Sequence, residues 1–243
     1  MAELDYAGFD ALTFDCYGTL IDWETGILSA IRPILDAHDV RASDDDVLEA
    51  YAAAEAELEA GSYLPYRAIL ARGLRKVVAS LGAEATDEEA AAFGASVGDW
   101  PAFDDSTRAL RRLRTAGFRL GILTNCDDDL FAASNRRLGV DFDWIVTAQQ
   151  VGSYKPSHRN FDVLLERLAR QGVSAKRVLH VAQSLFHDHV PAHKLGIRTV
   201  WIDRRHGKQG AGATPPAEAR PDATFSSMEA FADAAIAARK AAR

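Results

Sequence analysis

Ala11-Leu12-Thr13-Phe14-Asp15-Cys16-Tyr17-Gly18-Thr19-Leu20 is the stretch on which the reading of the fold turns. Ala11 to Phe14 is a short apolar run, and it stops at a polar, glycine-containing segment. That length and that stop predict a buried strand emptying into a loop. A carboxylate placed directly at a strand end is a position where chemistry is commonly built.

Outward from this strand the pattern changes twice. From Ile27 to Val97 the apolar residues recur at the helical period, with Ile27, Ile31, Ile34 and Leu35 on one face. Ser43 followed by Asp44, Asp45 and Asp46 starts a second helix that Gly61 can end, and a third runs from Tyr63 to Leu81 and stops at Gly82. Thr86 with Glu89 forms a capping box for a fourth helix ending near Gly98. After Trp100-Pro101 the pattern alternates. A helix over Ser106 to Ala116 precedes a strand over Phe118 to Thr124, and a helix over Asp128 to Leu138 precedes a strand over Trp144 to Thr147. A helix over Asn160 to Arg170, a strand over Arg177 to Val181, a short helix around Ala192 to Leu195 and a strand over Arg198 to Ile202 follow. Gly207 to Pro221 reads as a loop, and Met228 to Arg243 as a terminal helix. Val178-Leu179-His180-Val181 is apolar on both faces, as a parallel sheet covered on both sides requires. The expected architecture is α/β, a doubly wound parallel sheet with an inserted helical domain: residues 1–22 and 101–243 form the core, and 23–100 the helical insert.

Composition narrows the partners. The 243 residues are 48% hydrophobic and 26% charged, enough apolar material for a core of this size. With 28 Lys and Arg against 35 Asp and Glu, the net charge of −7 disfavours nucleic acid and anionic membrane, both of which reward clustered cations. Acids at Glu3, Asp5 and Asp10 stand where a signal peptide would carry base and then an apolar run. Cys16 and Cys126 are the two cysteines, so the expectation is a cytoplasmic enzyme without a structural disulfide, acting on a small molecule.

In an open α/β sheet the ligand crevice lies outside the carboxyl ends of the strands. Four such ends carry chemistry here. The first holds Asp15 and Thr19, the second Thr124-Asn125-Cys126, the loop after the third Ser153-Tyr154-Lys155-Pro156, and the fourth Gln183-Ser184-Leu185-Phe186-His187-Asp188. Singly, each has an ordinary structural reading: a turn, a cap or a solvated loop residue. Together they bring two carboxylates, hydroxyls, an amide and an ammonium to one edge.

These four segments resemble the motifs of the haloacid dehalogenase superfamily, and Asp15-Cys16-Tyr17-Gly18-Thr19-Leu20 resembles its type II 2-haloacid dehalogenase branch. Phe103-Asp104 and the run Gly196 to Arg204 are similar to that branch too. The resemblance implies a Rossmann-like core with a cap domain, and covalent catalysis in which Asp15 attacks a substrate carbon to form an ester that water splits. Lys155 neutralises Asp15, Thr19 orients it, and Asp188 holds Lys155 or positions the water. Cys16, Tyr17, Thr124, Asn125, Ser184 and His187 form the substrate-binding set. The substrate is a small carboxylate, no cofactor and no metal is required, and an exposed face of the insert could pair two subunits as a homodimer.

The chain also departs from its relatives. Superfamily phosphatases carry a second Asp two residues after the nucleophile, where this chain has Tyr17, a phenol with an ordinary pKa of about 10. They place a magnesium-holding acid where this chain has Gln183, a poor ligand for a hard dication. Type II dehalogenases bind the halide with an Arg early in the cap, yet Ala42 to Tyr66 contains none, and Arg67 is the nearest candidate. Phe161 stands where the branch often has Tyr, Ser184 where it has Asn, and the fourth motif is one residue longer. His187, His189 and His193 raise a metal site, but helical spacing of histidines is a weak signal, and Lys155 would repel a cation beside Asp15. The reading is therefore a metal-independent hydrolase of small 2-haloalkanoic acids. Its alternatives are a related hydrolase that expels a non-halide leaving group or opens a strained ring, and, less favoured, a small-molecule phosphatase.

Overall fold

The computed structural model describes residues 4–207 and 212–242. Four residues of the expected 207–221 loop and the last residue of the expected terminal helix lie outside that set. Six strands form one parallel sheet: β1 (Ala11–Phe14), β2 (Arg119–Thr124), β3 (Trp144–Thr147), β4 (Val178–Ala182), β5 (Arg198–Ile202) and β6 (Ala223–Phe225). Their order is β3-β2-β1-β4-β5-β6. Chain direction across the sheet reverses between β1 and β4, the topological switch point at which doubly wound folds open a crevice. The register sets Phe14 level with Ile122 on one side and Val181 on the other, so the loops after β1, β2 and β4 leave the sheet together.

Between β1 and the chain's return to the sheet at Ala102 lie four helices, α1 (Trp23–Ala37), α2 (Asp44–Glu59), α3 (Tyr66–Ser80) and α4 (Asp87–Ala95). Their starts follow the sequence. Ser43 with Asp46 and Thr86 with Glu89 both close full capping boxes, satisfying backbone N–H groups that the first helical turn leaves without partners. The third helix begins at Tyr66 rather than Tyr63, because Pro65 pushes Leu64 out of the helical region. Its first N–H groups are capped from outside: Asp127, in the loop after β2, accepts from the backbone of Tyr66 at 2.9 Å and of Arg67 at 3.0 Å. The fourth helix stops at Ala95 and passes into a tighter turn over Ser96–Asp99.

The chain leaves and re-enters the sheet domain beside itself. Ile21 and Ala102 form an antiparallel bridge, Asp22 donates to the Pro101 carbonyl, and Phe103 donates to that of Leu20. Beyond this point α5 (Ser106–Thr115), α6 (Asp128–Leu138), α7 (Ala148–Val151), α8 (His158–Ala169), α9 (Val190–Lys194) and α10 (Met228–Ala241) complete the layers around the sheet. β6 and α7 escape a sequence reading because three and four residues are too short to show a period. The longer fourth motif becomes a π turn over Leu185–His189, the backbone form that absorbs one extra residue in a helical run. No helix among the described residues is long and apolar enough to cross a membrane.

Gly26 sits on the buried face of α1, where an added Cβ would collide with the Trp100 side chain. Trp100 is 1% exposed and stacks edge-on against Tyr17, so it has nowhere to retreat. Gly26→Ala is expected to lower stability by about 1–3 kcal/mol despite alanine's better helix propensity, read as a fall in the urea midpoint.

Candidate active site

Lys155 lies at the centre. Its side chain is 2% exposed, and the three hydrogens of its ammonium meet three oxygens: Asp15 Oδ1 at 2.8 Å, Asp188 Oδ1 at 2.8 Å and the Leu123 carbonyl at 3.1 Å. The ends of β1, β2 and β4 therefore converge on one nitrogen. Burial opposes the ammonium, but the two carboxylates outweigh it and raise the Lys155 pKa, so the cation is permanent. Burial likewise opposes ionisation of Asp188, yet Lys155 and His180 overcome it and hold that carboxyl well below the usual range. For Asp15 burial prevails: with Asp188 adding to it, it pushes the pKa up, and Lys155 and Thr19 offset it only in part. A carboxylate with a raised pKa is the more basic, more nucleophilic of the two.

The loop after β1 aims Asp15. Thr19 Oγ1 donates to Asp15 Oδ2 at 2.7 Å while accepting from the Gln183 backbone at 2.9 Å, which fixes the hydroxyl's direction. The turn that brings Thr19 back passes through Gly18 at φ +86°, where a Cβ would also crowd Trp23 and Gln183. Asp188 is held by His180 Nε2 at 2.9 Å, and the other ring nitrogen pairs with Thr13 Oγ1 at 2.9 Å. Asp188 Oδ2 is buried with no hydrogen-bond partner among the described residues.

Asn125 is a junction. Its carbonyl oxygen accepts from the Lys155 backbone at 2.7 Å, and its amide nitrogen donates to the Lys155 carbonyl and to Glu59 Oε2, both at 3.0 Å. Its two amide hydrogens are thereby committed. Ser184 Oγ accepts from the His187 backbone at 3.0 Å and shares a hydrogen bond of 3.1 Å with His187 Nδ1. His187 Nε2 is buried with no hydrogen-bond partner among the described residues, and it lies 3.7 Å from Glu59 Oε2. Burial lowers the His187 pKa to about 4, which keeps the ring neutral at neutral pH.

Several expected residues take other places. Arg67 pairs with Asp129 at 2.6 Å, is 43% exposed and does not line the cavity, so the anticipated substitute for a halide-binding Arg is a surface ion pair. Cys16 is fully buried in the hydrophobic core, and burial drives its thiol pKa up. Thr124 is buried with an unpartnered hydroxyl and does not line the cavity. Tyr17 lines the cavity with its ring, but its hydroxyl meets Ser134 Oγ at 3.0 Å and accepts from Cys126 at 3.3 Å. The histidines considered for metal are separately employed: His189 on the Ala182 carbonyl, His193 on Thr199. Asp127 and Asp128 do stand at the start of α6, but their side chains bond elsewhere: Asp127 caps α3, and Asp128 accepts from Thr147 and Gln150.

The cap side of the cavity brings residues that the sequence reading missed. Glu55, Glu59, Tyr66 and Trp23 line the same small space as Asp15 and Lys155, about 30 Å³ in volume, enough for a water or two. Glu55 Oε1 accepts from Tyr51 and Tyr66 hydroxyls, each at 2.7 Å. Burial is the largest influence on Glu55, and its pKa rises to about 7. Burial and neighbouring Glu55 push Glu59 well up, against Lys155 and Asn125. The signal was present in the spacing: Val47, Tyr51, Glu55 and Glu59 recur every four residues, which puts two acids on the helix face that carries the buried residues.

This constellation places the chain in a class. The family described as haloacid dehalogenase-like hydrolase matches residues 9–182, and the chain belongs to that family. Among relatives, an (S)-2-haloacid dehalogenase of Pseudomonas fluorescens is 24% identical over 202 residues, covering 80% of this chain and 84% of that protein. A haloacid dehalogenase-like hydrolase domain-containing protein 3 of Danio rerio is 31% identical over 120 residues, 49% of this chain and 48% of the relative. A pyrimidine 5'-nucleotidase of Escherichia coli (strain K12) is 31% identical over 99 residues, 40% of this chain and 43% of the relative. In fold, the chain is similar to the L-2-haloacid dehalogenase of Xanthobacter autotrophicus, with a TM-score of 0.77, 19% identity, and 93% and 97% of the two chains covered.

Glu55 makes stability depend on pH. Its carboxyl titrates at about 7 in the fold, against an ordinary 4.5, so the folded chain holds a proton that the unfolded chain gives up. The stabilisation is complete below the unfolded value and is lost as pH rises through the folded one. The thermal midpoint is expected to fall between about pH 5 and pH 8, and Glu55→Gln to shrink that fall. A variant that tracks the wild type at every pH would remove Glu55 as the cause.

Proposed function

We propose that the chain is a hydrolase that attacks carbon through Asp15, and that small 2-haloalkanoic acids are its substrates. The observation that carries this is Lys155, whose ammonium bridges Asp15 and Asp188 in a site that excludes most water. A fixed positive charge beside the nucleophile stabilises charge developing in the transition state and needs no reorganisation during the reaction. The relatives that align over most of their length, the (S)-2-haloacid dehalogenases, support carbon–halogen cleavage.

Asp15 displaces halide from the 2-carbon and becomes an ester; water then attacks the ester carbonyl carbon and releases a 2-hydroxy acid. Asp188 Oδ2 is the buried acceptor suited to orient that water, and Thr19 holds the Asp15 carboxylate in line. The Nε2–H of His187 offers the departing anion a donor, in a place where Arg67 offers none. A stable leaving anion requires no general acid, which fits the committed hydroxyl of Tyr17.

Phosphoryl transfer lacks support in the same residues, since Tyr17 and Gln183 replace the acid and the magnesium ligand that the phosphatase branch uses. Halide release from 2-chloropropionate is expected to continue in excess EDTA, with p-nitrophenyl phosphate left essentially uncleaved with or without Mg²⁺. A preparation that requires Mg²⁺ and cleaves the phosphate ester at ordinary rates would overturn the proposal.

Asp15→Asn is expected to remove turnover while keeping the fold, and Lys155→Ala to reduce it severely. In single turnover in ¹⁸O-water the label enters Asp15 before product. Residual Asp15→Asn activity within about tenfold of wild type, only 1.4 kcal/mol, contradicts covalent catalysis.

A further inference from the structure

The cap contributes an acid to the wall of the cavity that Asp15 lines. Glu59, on the last turn of α2, lines both the inner cavity and an adjoining outer cleft of about 360 Å³ that shares Lys155 and His187 with it. Its side chain is 5% exposed. It takes one of the two amide hydrogens of Asn125 on Oε2, which leaves Oε1 as the oxygen able to carry a proton. Its ring of neighbours favours that proton: Glu55 lies on the same helix, and Asp15 lines the same cavity. An anion leaving along this wall finds Asn125 already engaged. An oxygen leaving along it finds a hydrogen-bond donor.

We propose that Glu59 is a general acid, and that this site also opens small epoxides, whose oxygen departs from the carbon that Asp15 attacks. The proposal rests on Asp15 as the nucleophile. An Asp15 oxygen bonds to a ring carbon as the ring carbon–oxygen bond breaks. The ring oxygen keeps the electron pair and takes the Glu59 proton, giving a hydroxyalkyl ester. Water adds to the ester carbonyl carbon and expels the diol, and the proton left on Asp15 returns to Glu59. Epoxide and water give a vicinal diol, with nothing oxidised or reduced. Ring strain makes the bond breakable by a carboxylate, and the acid removes the need to expel a free alkoxide, a contribution of roughly 10²–10⁴-fold in rate. Volume restricts the class to the smallest members, because the inner cavity is about 30 Å³ before the cap yields.

The test uses the full chain with propylene oxide and, separately, with 2-chloropropionate, following product and the mass of Asp15. Wild type is expected to form the diol through an Asp15 ester. Glu59→Gln, which keeps shape and the contact with Asn125, is expected to lose at least 100-fold on the epoxide, and at least tenfold more there than on the haloacid. Equal losses on the two substrates would mean that Glu59 acts through structure alone and would overturn the proposal. An Asp15 ester from the haloacid but not from the epoxide defeats it too while sparing the nucleophile. If neither compound esterifies Asp15, both readings fall together. Because the wild-type comparison between substrates is decisive alone, a Glu59→Gln protein that fails to fold does not rescue the proposal.

Discussion

The structure depends on the cost of burying one ammonium. A lysine nitrogen taken out of water loses several kcal/mol of hydration, and only close, well-directed anions return it. Lys155 recovers that hydration by drawing a carboxylate from the end of β1, another from the turn after β4, and a carbonyl from β2. Those three groups are adjacent only when the strands are ordered with β1 between β2 and β4, in the register seen. A shift of one residue in either pairing would strand a charge in the interior. The site thus discriminates among folds as well as among substrates.

Much of this arrangement is legible in the chain. Strands that are apolar on both faces imply a covered parallel sheet, and acids, amides and lysine placed at consecutive strand ends imply convergence at one edge. Asp15, Thr19, Lys155 and Asp188 all fall where that logic puts them. What stays hidden is contact between segments distant in sequence. Arg67 looked suitable because it was the first cation after a long gap, but a surface partner, Asp129, claims it. Glu55 and Glu59 drew no reading from the sequence, because their burial emerges only when α2 packs on α3 and meets the loop after β2. Asp127 does precede α6 as its N-cap residue, but which N–H groups its carboxylate serves is decided by tertiary position, not by its neighbours in sequence. The short β6 and α7 lack the length to announce a period.

The electrostatic character of the pocket follows from the same closure. The core contributes two carboxylates against one cation, and the cap adds two more acids. Four carboxyl groups and one ammonium cannot all be ionised in so small a dry space, so protons distribute among them. Lys155 and His180 hold Asp188 ionised, while burial pushes Asp15, Glu55 and Glu59 towards their protonated forms.

Asp127 sits two residues beyond Asn125, and it caps the N-terminus of α3 while Asn125 grips both Lys155 and Glu59. Three residues of one core loop, Asn125 to Asp127, therefore link α3 directly to the lysine. A displacement of α3 would be felt through Asp127 at Asn125, and through Asn125 at both Lys155 and Glu59, so cap and core share one short joint rather than two independent supports.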